Sequence, residues 1–105
     1  MRKIFNGPAG KVNTGTETVI RRRIRFYGAV QGVGFRWRAL HAAQAYDCTG
    51  WCRNEWDGSV VMEIQGEETA IDQVILAIER GRYVEIRQMD VKTIPVSEER
   101  GFRTE

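Results

Sequence analysis

The segment with the clearest potential for chemistry is GAVQGVGFRWRAL, at residues 28–40. Glycine lets the backbone N–H groups of a turn approach an anion closely, and the N-terminus of a following helix favours negative charge. Arg36 follows in the first predicted helical turn, where its planar guanidinium can contact two oxygens of one phosphate. We therefore predict an anion-binding loop formed by Gln31, Gly32, Val33, Gly34 and Phe35.

Two common phosphate-binding motifs are excluded at this loop. A P-loop requires Gly-Lys followed by Ser or Thr, and the chain contains no such tripeptide. The dinucleotide fingerprint fails because Trp37 stands where its last glycine belongs, and no pattern of a parallel sheet follows. Taken alone, the glycine turn is explained equally well as a tight connection between a strand and a helix.

A second candidate segment is TGWCRNEWDG, at residues 49–58. Its Asn54 would ordinarily be interpreted as a turn or edge residue of a hairpin, since asparagine is frequent at such positions. In a split βαβ sheet, however, the end of the second strand lies near the loop that follows the first strand. Asn54 is then expected to lie beside the predicted anion loop.

The strand that precedes the loop is indicated by an alternating apolar pattern between Ile20 and Tyr27. Ile20, Ile24 and Phe26 are expected to face the core, whereas Arg22 shares their parity and interrupts the pattern. The segments CTGWCRN and SVVMEIQG predict two further strands, joined by a hairpin at the Asp-Gly pair. A fourth strand, VEIRQMDVKTIPV, has as its apolar candidates Ile86, Met89, Val91 and Ile94.

Two helices are predicted from apolar residues at helical spacing. In the first, these residues are Phe35, Ala39, Ala42, Ala43 and Tyr46, with Asp47 following at a position that favours positive φ. In the second, they are Ile71, Val74, Ile75 and Ile78, between Glu67 and Gly81.

The order β-α-β-β-α-β predicts an α+β fold, the ferredoxin-like split βαβ sandwich. Its two helices would cover one face of a four-stranded antiparallel sheet, and Phe102 is a candidate to return and cover an edge. Residues 1–18 contain several glycines and no apolar period, so we expect a flexible leader. Residues 19–105 would then form a single domain.

Composition excludes several classes of protein. The chain has 105 residues, 42% of them hydrophobic, and a formal charge of +2, too mild for bulk nucleic-acid binding. It has no secretory h-region and no stretch as long as a membrane span, so we expect a cytoplasmic protein without membrane contact. Cys48 and Cys52 would lie about 13 Å apart on one strand, too far for a disulfide. With His41 as the single histidine, they are interpreted as small buried residues rather than metal ligands.

The two segments together are similar to the signatures of the acylphosphatase family, G-x-V-Q-G-V-x-F-R and G-W-x-x-N-x-x-D/x-G. Here they read GAVQGVGFR at residues 28–36 and GWCRNEWDG at residues 50–58, separated by one predicted helix. The resemblance extends from Ile20 to Phe102 and implies the same ferredoxin-like fold.

What the resemblance implies is hydrolysis of acyl phosphates to a carboxylate and inorganic phosphate, without metal or other cofactor. By the same resemblance, Arg36 binds phosphate together with the loop amides, and Asn54 orients the attacking water. Such a substrate has a good leaving group, so positioning and charge stabilisation can replace a protein nucleophile. We expect a monomer that acts on a small molecule and does not bind nucleic acid.

Two alternatives keep the fold and change the function. The arginines of the first strand, with Trp37, Trp51 and Trp56, could form a nucleic-acid-binding surface, although an RNP-type aromatic run is absent. We expect these arginines instead to form a solvated face paired with Glu63 or neighbouring acids. Acylphosphatase-like domains also begin larger carbamoyl-transfer proteins, but this chain lacks zinc-finger-like cysteines, so we expect a free-standing enzyme.

Overall fold

The computed structural model describes residues 18–105, so the predicted leader lies outside the described residues except for its last one. Five strands and two helices follow in the order β1 (Val19–Ala29), α1 (Phe35–Ala45), β2 (Thr49–Asn54), β3 (Val60–Glu67), α2 (Glu68–Glu79), β4 (Glu85–Ile94) and β5 (Phe102–Thr104).

The strands form one sheet in the order β4-β1-β3-β2-β5. The four long strands pair with one another antiparallel, as the split βαβ pattern predicts, whereas β5 runs parallel to β2. The predicted count of four strands was therefore one too low. Phe102 does return to an edge, where it pairs with Gly50 and is buried. A strand of three residues is too short to show an alternating pattern, which is why the sequence did not predict it.

The core lies between the sheet and the two helices. Ile24 and Phe26 of β1 are fully buried, and Ile20 is half-buried, in agreement with the predicted alternation. From α2, the apolar stripe places Ile71, Val74 and Ile78 in the same core.

Three residues predicted as apolar core candidates are exposed. Tyr46 is the residue after the last turn of α1, so its side chain leaves the apolar stripe and is exposed. Met89 and Val91 lie beside Phe26 and Ile24 in the sheet but are exposed. Of the apolar residues of β4, Ile86 packs against the core, whereas Met89 and Val91 lie beyond the part of the sheet that the helices cover.

Residues 95–100 connect β4 to β5, which lie at opposite edges of the sheet. The segment crosses the face without helices, where Glu99 accepts a hydrogen bond from Arg21 at 2.7 Å and Ser97 contacts Gln65. Arg21 is only 4% exposed and also pairs with Glu63 at 3.0 Å. The predicted pairing with Glu63 is thus confirmed, but the expectation of a solvated arginine face is wrong for Arg21.

Candidate functional site

The glycine loop between β1 and α1 is shaped by two residues with positive φ. Gly32 has φ 73° and Gly34 has φ 85°, and Gly34 is the N-cap residue of α1. A Cβ at either position would meet nothing within 4 Å, so it is the backbone conformation rather than lack of space that favours glycine. Phe35 anchors the start of α1, because its ring packs edge-on against Phe26 of β1 at 4.8 Å between centroids.

The loop borders a cavity of about 190 Å³ at the N-terminus of α1. Arg36 from the first turn of α1 and Asn54 from the end of β2 both line it, which brings together the two side chains that the sequence singled out. The complete lining consists of Val30, Gly32, Gly34, Phe35, Arg36, Trp37 and Asn54.

The side chains of two other predicted loop residues lie elsewhere. Val33 packs against the core and is not among the lining residues. The Gln31 amide nitrogen donates hydrogen bonds to the backbone carbonyls of Glu55 at 2.7 Å and Ser59 at 2.9 Å. Gln31 and Val33 are therefore available to an anion in this cavity only through their backbone N–H groups.

The β2–β3 hairpin that carries Asn54 is held by a local network. The Asp57 carboxylate accepts hydrogen bonds from the Ser59 hydroxyl at 2.6 Å and the Ser59 backbone N–H at 3.0 Å. The hydrogen bond from the Ser59 hydroxyl has the larger effect and the one from the Ser59 N–H adds to it, so the pKa of Asp57 lies below its ordinary value. Arg25 of β1 donates to the same hydroxyl at 2.9 Å, so the hairpin is fixed to the centre of the sheet.

Within residues 18–105, the Arg36 guanidinium has one hydrogen-bond partner. Its Nη1 donates to the main-chain oxygen of Glu105, the last residue of the sequence, at 3.0 Å, and the Glu105 N–H donates to the backbone carbonyl oxygen of Cys52 in β2 at 2.8 Å. Within the described residues no Asp or Glu side chain pairs with Arg36, so an anionic ligand in the cavity would have to displace only this main-chain contact.

The two cysteines do not provide a nucleophile. Both thiols are free and buried, and burial raises the pKa of Cys48 to about 11 and that of Cys52 to about 12. Both therefore remain protonated at neutral pH, as expected for small core residues.

Two features of the site were not predicted from the sequence. Trp37 lines the cavity next to Arg36, and its position in the first turn of α1 was the signal that could have indicated this. The contact of Gln31 with the hairpin depends on how two loops meet in space, and no spacing along the chain reports it.

The helix-free face does not present unpaired arginines beside its tryptophan. Arg23 and Arg53 flank the Trp51 ring at 5.7 Å and 4.9 Å, but Arg23 pairs with Glu63 and Arg53 pairs with Glu55. The charge that a nucleic-acid surface would need is largely neutralised there. Within residues 18–105, no group of three or more His, Cys, Asp or Glu residues could hold a metal ion, and no helix is long and apolar enough to cross a bilayer.

The cavity thus brings together three groups with chemistry suited to a phosphoryl group. Backbone N–H groups at a helix N-terminus and a guanidinium favour negative charge, and an amide side chain can position a water molecule.

The family model named Acylphosphatase matches residues 22–104 of the chain. A protein named acylphosphatase from Salinibacter ruber is 43% identical over 81 residues, which cover 76% of this chain and 83% of that protein. A second, from Oceanobacillus iheyensis, is 39% identical over 74 residues, which cover 69% of this chain and 81% of that protein.

A crystal structure of acylphosphatase from Bacillus subtilis has the same fold, with a TM-score of 0.75 and 28% sequence identity. The match covers 81% of this chain and 97% of that one.

Proposed function

The chain belongs to the acylphosphatase family, a family of enzymes that act on small acyl phosphates, and from this premise we propose how its own residues carry out the hydrolysis. The products are a carboxylate and inorganic phosphate. The observation that carries the proposal is the meeting of Arg36, Asn54 and the glycine loop at one cavity.

In the proposed reaction, loop N–H groups and the Arg36 guanidinium hold the phosphoryl oxygens and neutralise their charge. Asn54 orients a water molecule for in-line attack on phosphorus. The water oxygen forms a bond to phosphorus, and the bond between phosphorus and the acyl oxygen breaks, so the bonding electrons leave with the carboxylate. One proton of the water passes to a phosphoryl oxygen, which gives dihydrogen phosphate. No covalent bond to the protein is required.

We propose that this reaction uses no metal and no other cofactor. The residues that line the cavity include no carboxylate, imidazole or thiol, the usual ligands of catalytic metals, whereas Arg36 and the loop amides supply positive charge.

We further propose that the chain acts as a monomer in the cytoplasm and does not bind nucleic acid. In support of the last point, the arginines beside Trp51 are paired with acids.

The experiment that tests the function measures release of inorganic phosphate from benzoyl phosphate by the purified chain. We expect turnover that is unchanged by EDTA and inhibited competitively by inorganic phosphate or sulfate. Absence of turnover would contradict the proposed hydrolysis. Activity that EDTA removes and a divalent ion restores would contradict the mechanism.

A further inference from the structure

Trp37 lines the cavity with an exposed side chain that has no part in the proposed reaction, whereas the side chains of Val30 and Phe35 are buried in the core. The Trp37 side chain is 63% exposed, and it is not part of the buried cluster that α1 contributes through Phe35 and its alanines. An exposed tryptophan alone is unremarkable on a protein surface. What distinguishes Trp37 is that it lines the same cavity as Arg36 and Asn54.

The position of the indole is constrained by His41, one helical turn further along α1. The two rings lie 4.2 Å apart between centroids with an angle of 32° between their planes. His41 Nδ1 also forms a hydrogen bond with the Trp37 carbonyl oxygen at 2.8 Å, and since a carbonyl only accepts, Nδ1 carries the proton. A constrained aromatic surface binds an apolar group with a smaller loss of side-chain entropy than a mobile one.

The geometry of the reaction leaves room for one more contact. In-line displacement places the attacking water and the departing carboxylate on opposite sides of phosphorus. Asn54, which would hold the water, comes from the end of β2, whereas Trp37 comes from the first turn of α1. The acyl group must leave the phosphate loop on a side away from Asn54, and the indole of Trp37 is an apolar surface that the same cavity offers.

We propose that Trp37 forms a subsite for the acyl group and makes the enzyme selective for aromatic acyl phosphates over short aliphatic ones. The proposal rests on the hydrolytic function stated above. An aromatic acyl ring packs against the indole, whereas an acetyl group is too small to gain that contact. Aromatic pairs of this kind change affinity by about twofold to tenfold beyond simple burial, which sets the size of the expected effect.

The test compares kcat/KM for benzoyl phosphate and acetyl phosphate in the native chain and in three variants. Because the two substrates differ in intrinsic reactivity, the readout is the change in their ratio. We expect Trp37→Ala to lower the benzoyl-to-acetyl ratio about fivefold to tenfold, mainly through KM for benzoyl phosphate. Trp37→Phe should restore most of the ratio.

The matched control is Trp56→Ala, because Trp56 is 97% exposed and is not among the lining residues. This variant should keep the native ratio. Binding of benzylphosphonate, a stable aromatic anion, should weaken in Trp37→Ala relative to methylphosphonate, while the inhibition constant of inorganic phosphate shows that the anion loop is intact.

Three results would overturn the proposal. The ratio and the phosphonate preference could be unchanged in Trp37→Ala, Trp56→Ala could lower the ratio equally, or the native chain could hydrolyse neither substrate. The last result rejects the hydrolytic function as well, whereas the first two reject only the role of Trp37.

Discussion

Arg36 and Arg38 are two residues apart in α1, yet their guanidinium groups serve different parts of the protein. Arg36 lines the cavity, whereas Arg38 donates a hydrogen bond to the Ala77 carbonyl of α2. Residues two apart on a helix point to different sides, so one turn supplies both the proposed phosphate ligand and a contact between helices. This pair offers a matched comparison for the proposed phosphate contact.

We expect Arg36→Lys to lower kcat/KM for benzoyl phosphate about 100-fold and to weaken inhibition by inorganic phosphate. An ammonium group cannot contact two phosphoryl oxygens in the planar geometry of a guanidinium. Arg38→Lys, on the same helix, should remain within about threefold of the native chain. Equal losses in the two variants would assign the effect to α1 in general rather than to phosphate binding.

Asn54→Ala should lower kcat about 100-fold, while inorganic phosphate inhibits at nearly the native concentration. The lost contact is to the attacking water rather than to the phosphoryl group. Asn54 is exposed at the end of β2, so the melting temperature should change little. If a folded Asn54→Ala protein no longer bound phosphate, Asn54 would be part of the anion site instead.

At the scale of elements, the glycine loop and the β2–β3 hairpin are joined by the side chain of Gln31. Its one amide nitrogen donates to the carbonyls of both Glu55 and Ser59, on the two sides of the hairpin turn. The loop that would hold phosphate and the strand end that would hold water are therefore fixed relative to each other.

Gln31→Glu tests this coupling, because it keeps the shape of the side chain and replaces the donor with an oxygen facing two carbonyls. We expect kcat for benzoyl phosphate to fall about tenfold or more, since displacement of a reacting group by about 1 Å can cost 100-fold. Gln44→Glu provides the control, as Gln44 lies exposed on α1. Native turnover in Gln31→Glu would show that the hairpin holds Asn54 without help from the loop.

The local elements could be predicted from sequence because their signals are local. The Asp57-Gly58 pair lies in the turn between β2 and β3, and the positive φ expected at Asp47 is observed at 61°. The lining of the cavity was predicted only in part, since Arg36 and Asn54 belong to a recognisable pair of segments and Trp37 does not. Met89 is exposed because of where the helices pack on the sheet, and the order of residues within β4 does not indicate that position.

At the scale of the whole molecule, a network of ion pairs holds residues 95–100, which connect β4 to β5, against the sheet. Burial raises the pKa of Glu63, but hydrogen bonds from Arg21 and Arg23 outweigh it, so the net pKa lies below the ordinary value of 4.5. The unfolded chain then binds this proton more tightly than the folded one. The resulting stability is present above about pH 4.5 and is lost as the pH falls through the folded pKa.

We predict that Glu63→Gln lowers the free energy of unfolding at pH 7 by about 2 kcal/mol and makes its decline below pH 4.5 shallower. Urea denaturation at several pH values measures both effects. Glu85→Gln, which removes an exposed pair with Arg87, should follow the native curve. Parallel curves for Glu63→Gln and the native chain would show that other carboxylates govern acid unfolding.

The leader remains a prediction, because the structure describes only its last residue. The family model matches from residue 22, and residues 1–18 have too little apolar surface to offset about 1–2 kcal/mol of backbone entropy per ordered residue. Deleting residues 1–18 should shift the melting temperature by less than about 3 °C and leave kcat/KM nearly unchanged. A truncated chain that unfolds or loses activity would indicate that the leader packs on the domain.

The three tryptophans occupy such different surroundings that the molecule contains its own optical probe. Trp51 lies between two arginines, Trp56 is almost fully in solvent, and Trp37 is stacked on His41 at the cavity. Indole fluorescence responds to nearby charge and to an adjacent imidazole, so an anion that enters beside Arg36 should alter the emission of Trp37 selectively. A phosphate titration followed by intrinsic fluorescence would then report occupancy of the cavity without label or substrate. Trp37→Phe should abolish the phosphate-dependent change in emission, whereas Trp56→Phe should lower only the total emission.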